Sequence, residues 1–110
     1  MTRAVIYKLK DGTINGFKIK GHANAKNDGE FDLVCAAISA IAYTALGGLN
    51  ELCGVEAWDE SDGYMAMRLP DDMAAENRAK AQIILETMEI GLRQVENQYP
   101  RHIQVRFEEV

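Results

Sequence analysis

The chain has 110 residues, 47% of them hydrophobic and 26% charged, with a formal net charge of -5 and a sequence pI near 5.0. That length supports one domain with a single core and is too short for two. The acidic balance argues against holding nucleic acid by its phosphates, and two cysteines without a secretory leader point to a reducing cytoplasm rather than a disulfide scaffold.

Arg3 to Leu9 is rich in strand formers, Asp11-Gly12 signals a hairpin turn, and Ile14 to Lys20 returns as the second strand. Lys8, Lys10, Lys18 and Lys20 form a local basic cluster of the kind a hairpin shows to solvent, so no direct nucleic-acid partner is expected. Gly21-His22-Ala23 follows the strand, and the polar stretch from Ala23 to Glu30 has almost nothing to bury, which predicts a mobile loop. A helix is expected from Leu33 to Leu52, ending near Gly54. Its apolar part, Leu33 to Ala42, predicts burial between a sheet and a further surface, which in so small a domain can be a second subunit. Gly47-Gly48-Leu49-Asn50-Glu51 interrupts the apolar run, so it reads as a buried helix and not a membrane span.

Val55 to Glu60 reads as a strand, Ser61-Asp62-Gly63 as a turn and Tyr64 to Leu69 as the hairpin partner. Pro70 and Asp71-Asp72 announce a second helix over Met73 to Gln98, with Ile84, Met88, Leu92 and Val95 at heptad-like spacing. Pro100 stops it, and Ile103, Val105 and Phe107 alternate with Gln104 and Arg106 in a final strand. The order β-β-α-β-β-α-β predicts one α+β domain, two helices packed on a mostly antiparallel sheet.

The chemistry concentrates around His22 and Cys35. His22 falls just past a strand end, and Cys35 falls in the first turn of the first helix, where the positive end of the macrodipole favours thiolate. A nearby imidazole adds the Cys/His logic of nucleophilic catalysis, and Ala36 and Ala37 leave room around the sulfur. The competing reading of Cys35 is a buried helix cysteine that fills space. Asp32 reads first as the helix N-cap and second as a carboxylate that orients the imidazole. Ser39, one turn beyond Cys35, either lines a pocket or bonds to its own helix backbone. An oxyanion hole is expected from backbone N–H groups at the Cys35 turn. Gly21, Ala23 and Gly29 mark a substrate loop, with glycines at both ends to permit a lid. Cys53, at the opposite helix end and about 27 Å from Cys35 at roughly 1.5 Å per residue, is expected to be inert beside Leu49 and Leu52. His102 is expected to be structural or exposed. His22, His102, Cys35 and Cys53 have no metal-ligand spacing, so neither metal nor cofactor is expected.

Gly21-His22-Ala23 followed by Asp32-Leu33-Val34-Cys35-Ala36-Ala37-Ile38-Ser39 resembles the signature of the ribosomal-processing cysteine proteases, the Prp family. The resemblance implies a catalytic pair of His22 and Cys35. It also implies a substrate, the N-terminal extension of large-subunit ribosomal protein twenty-seven, and a homodimer. The apolar first helix and unprotected sheet edges favour a twofold dimer as well. One departure stands out: Glu30 and Phe31 both intervene between Gly29 and Asp32, where the family usually has one residue. Two other functions fit the residues, a non-enzymatic module binding a ribosomal protein and a thiol redox sensor.

Overall fold

Period-two alternation builds the sheet. In a computed structural model that describes residues 1–23 and 32–110, β1 (Thr2–Lys8) and β2 (Ile14–Lys20) pair antiparallel with Ala4 opposite Ile19 and Ile6 opposite Phe17. These four side chains are buried on one face. The turn between them is held by Asp11, whose carboxylate accepts from the Thr13 hydroxyl at 2.7 Å and the Thr13 N–H at 3.0 Å. Those two bonds lower the Asp11 pKa below its ordinary value.

The remaining elements are α1 (Leu33–Cys53), β3 (Asp59–Ser61), β4 (Tyr64–Arg68), α2 (Ala75–Gln98) and β5 (Ile103–Glu109), the expected order. The sheet order is β3-β4-β2-β1-β5, antiparallel except where β5 runs parallel to β1. The parallel pair is possible because α2 carries the chain back over one face before β5 begins. Both helices cover that face, and Leu49, Leu85, Leu92 and Ile103 are completely buried between the layers.

Four boundaries and packing details differ from expectation, each for a local reason. Val55 does not open a strand, because its N–H donates to the Leu49 carbonyl at 3.1 Å and its carbonyl accepts from the Asn50 amide at 2.9 Å. These bonds tie it to the end of α1, and β3 starts only at Asp59. Likewise α2 begins at Ala75 instead of Met73, since Ala74 is the N-cap residue and no side chain caps the helix. The buried stripe of α2 is Ala81, Leu85, Met88 and Leu92, while Ile84 and Val95 lie half-buried beside it. Finally, α1 is one-sided. Val34, Ile38, Ala42, Ala45, Leu46, Leu49 and Cys53 face the core, whereas Leu33 and Leu52 are 75% and 62% exposed. Its length and hydropathy match a membrane span, yet this buried stripe packs it as a core helix.

One side chain pins the helix layer to the sheet. The Gln82 amide oxygen accepts from the Ile14 N–H at 2.7 Å, and its nitrogen donates to the Ile14 carbonyl at 2.6 Å. Gln82→Ala strands both backbone groups of a buried residue. The expected loss is about 1–3 kcal/mol, read as a lower urea midpoint at unchanged slope.

Candidate active site

The end of β2 is shaped by glycine. Gly21 adopts φ 102° and donates its N–H to the Gly63 carbonyl at 2.8 Å. A Cβ on Gly21 would stand 2.5 Å from the Met1 carbonyl oxygen, so no larger residue fits. This turn carries His22 over the β3–β4 hairpin. There Gly63, at φ 65°, meets the imidazole so closely that a Cβ would lie 2.7 Å from His22 Nε2. Asp62 in the same hairpin places Oδ2 3.7 Å from Nε2. Its side chain is 98% exposed, so water screens the pair and it orients the ring only weakly.

Behind His22 the chain is anchored. Ala23 is buried, and its carbonyl accepts from His102 Nδ1 at 2.9 Å, which fixes a proton on that nitrogen. His102 is thus structural, as expected, and its bond holds the segment that bears His22. Ala23 is an anchor in the core and does not line the cleft. The expected loop over residues 24–31, with Gly29 and the Glu30-Phe31 departure in it, lies outside the described residues.

Cys35 is positioned by its helix cap. Asp32, with φ -81° and ψ 92°, accepts the Cys35 N–H at 2.9 Å through its carboxylate, and its carbonyl accepts the Ala36 N–H at 3.0 Å. The cap reading of Asp32 therefore holds. Of the N–H groups at this turn, those of Cys35 and Ala36 are bonded to Asp32, so neither is free to bind a substrate oxygen while the cap is closed. Cys35 is half-buried and Cys53 buried. Burial pushes the Cys53 thiol above its ordinary pKa, opposed only by the Lys80 charge. Cys53 sits among core residues, with exposed Leu52 pointing elsewhere.

His22 and Cys35 open into one cleft of about 320 Å³. One wall is α1, where Cys35, Ser39 and Tyr43 follow one another at four-residue spacing with Ile38 and Ala42 beside them. The other is Gly21, His22 and the hairpin Ser61 to Tyr64. The exposed Ser39 lines this cleft, so its pocket reading has a structural basis. The hairpin's part in the site is not visible in the sequence, where Asp62-Gly63 signals only a turn. Tyr43 belongs to no motif either, and only the helical spacing from Cys35 and Ser39 points to it. The Glu60 carboxylate beside it raises the Tyr43 pKa, first as a hydrogen-bond acceptor for the hydroxyl and second by its charge.

The comparisons with known proteins agree with this geometry. A family model described as cysteine protease Prp matches residues 1–104. The ribosomal processing cysteine protease Prp of Bacillus subtilis (strain 168) is 33% identical over 108 residues, covering 96% of this chain and 96% of that protein. Its counterpart in Staphylococcus aureus (strain NCTC 8325 / PS 47) is 28% identical, covering 88% of this chain and 90% of that protein. The crystal structure of Prp from S. aureus in complex with a covalently linked product peptide superposes with a TM-score of 0.84 at 25% identity, over 98% of this chain and all of that one (100%). SMU.848 from Streptococcus mutans gives 0.79 at 26% identity, over 100% of this chain and 96% of that one. Fold, cleft and relatives converge: the chain is a cysteine protease and belongs to the ribosomal-processing Prp family.

Proposed function

We propose that the chain removes the N-terminal extension of large-subunit ribosomal protein twenty-seven in the cytoplasm, with Cys35 as nucleophile and His22 as general base and acid. The observation that carries this reading is the single cleft into which both side chains open. His22 takes the thiol proton, and the Cys35 sulfur attacks the scissile carbonyl carbon. The tetrahedral intermediate collapses as His22 returns the proton to the leaving amine, which departs with the downstream chain. Water, deprotonated by His22, then hydrolyses the thioester and releases the upstream carboxylate and the free thiol. Asp32 holds Cys35 by its cap, the imidazole rests against Gly63, and Ser39 lines the substrate path.

The test is to incubate the precursor of that ribosomal protein with the protein and measure intact masses. One internal cut that shortens the precursor from its N-terminus is the expected result. An unchanged precursor overturns the proposed substrate.

The same reading includes a homodimer. Its support is a groove of about 700 Å³ between α1 and α2, flanked by Ile83 and Ile90, which are 68% and 58% exposed. Sedimentation equilibrium at micromolar concentration is expected to give twice the 12.2 kDa chain mass, and a mass of one chain removes the dimer.

A further inference from the structure

The helices cover one face of the sheet and leave the other open, and the open face is basic. Registers place Arg3 opposite Lys20, Lys18 opposite Val5 and Ala66, Arg68 opposite Gly16, and Arg106 opposite Val5. These five are among the chain's twelve Lys and Arg residues, on a protein whose net charge is -5. Among the described strand residues, only Asp59 and Glu108, on the two edge strands, bring carboxylates to the same rows. Among the described residues, the ion pairs are made by Lys8, His22, Lys80 and Arg93, and none of the five takes part. Arg3 and Lys20 are directly opposed like charges, which a sheet tolerates at a cost that an anion would relieve.

Flat rings lie among these cations. A groove of about 440 Å³ on this face is lined by Tyr7, Trp58 and Tyr64 together with Lys18 and Arg68, with the carboxylate of Asp59 as its acidic member. The Arg68 guanidinium lies 5.1 Å from the centre of the Tyr7 ring, a cation–π contact. Rings beside cations on an open sheet match bases beside phosphates. Tyr64 borders both this groove and the catalytic cleft.

We propose that the open sheet face docks single-stranded RNA through Arg3, Lys18, Lys20, Arg68 and Arg106, with Tyr7 and Tyr64 as stacking surfaces. The chain's net acidity predicts no nucleic-acid partner because it sums charges that the fold separates. A substrate destined for the ribosome lies next to RNA, and a face that holds RNA beside the cleft brings that substrate within reach.

The experiment is fluorescence anisotropy of the full chain with a labelled mixed-sequence RNA dodecamer, from about 50 to 200 mM salt. With about four phosphates neutralised at roughly 0.7 ion each, affinity falls about 50-fold over that range. Lys18→Glu with Arg106→Glu weakens binding at least about tenfold, and Lys18→Gln with Arg106→Gln lowers the salt slope by about 1.4. Lys80→Glu, a reversal on α2, leaves binding unchanged. Absence of binding at the lowest salt overturns the proposal, as does full binding by both double variants. Equal binding of polyglutamate also overturns it, assigning the face to an acidic protein. Because the readout is RNA binding, its failure is separate from failure of precursor cleavage.

Discussion

Cys35→Ala and His22→Ala are each expected to lower precursor cleavage by about 10³-fold or more while the fold persists. Loss of the sulfur removes the atom that forms the thioester, and loss of the imidazole removes the group that moves the proton. Neither side chain lies inside the core: Cys35 is half-buried and packs against its edge, and the His22 side chain is 53% exposed. Surface and cleft truncations of this kind change stability by less than about 1 kcal/mol. Cys35→Ser is expected to be nearly as inactive, because a hydroxyl ionises far less readily than a thiol. Product mass and thermal midpoint, measured on the same samples, separate the two effects. Cleavage retained by either alanine variant disproves the pair.

The second large effect is expected at Gly63. A methyl group there meets His22 Nε2 at 2.7 Å and Cε1 at 3.2 Å, and the backbone is held at φ 65°. The left-handed conformation costs about 1–2 kcal/mol with any Cβ. The imidazole, about half exposed, can swing away from the methyl, so the clash is resolved by misplacing the catalytic group. Displacement of about 1 Å is enough to lower the rate about 10²-fold. Gly63→Ala should therefore lose most of its activity while remaining folded. Gly21→Ala should behave differently, because its Cβ meets the Met1 carbonyl at 2.5 Å and backbone cannot step aside as a side chain does. Its dominant loss is stability. Asp62→Asn should change the rate only a few-fold, since that carboxylate is solvent-screened. An active Gly63→Ala enzyme would contradict the role given to the hairpin.

The parts legible in the sequence are those written locally. Asp32 before the apolar run that opens at Leu33 announces the cap and the start of α1, and with them the place of Cys35. Asp11-Gly12 announces the first hairpin in the same way. What is not legible depends on contacts between distant segments. Asn50 and Leu49 capture Val55 and delay β3, which strand propensity over Val55 to Glu60 does not reveal. The parallel pairing of β5 with β1 joins the two ends of the chain. The imidazole rests on Gly63, forty-one positions away in sequence, and an Asp-Gly pair carries only a turn signal until the fold brings it under His22. Charge behaves likewise, because composition sums residues that the pleat sorts onto opposite faces.

The most direct measurement is the rate of iodoacetamide alkylation at each cysteine of the folded protein, followed by peptide mass spectrometry. Cys35 opens into the cleft beside His22, while Cys53 is buried with its thiol pushed toward the neutral form. The account predicts that Cys35 reacts much faster than Cys53, and that His22→Ala slows Cys35 without affecting Cys53. Equal rates at the two thiols, or a Cys35 rate indifferent to His22, would contradict it.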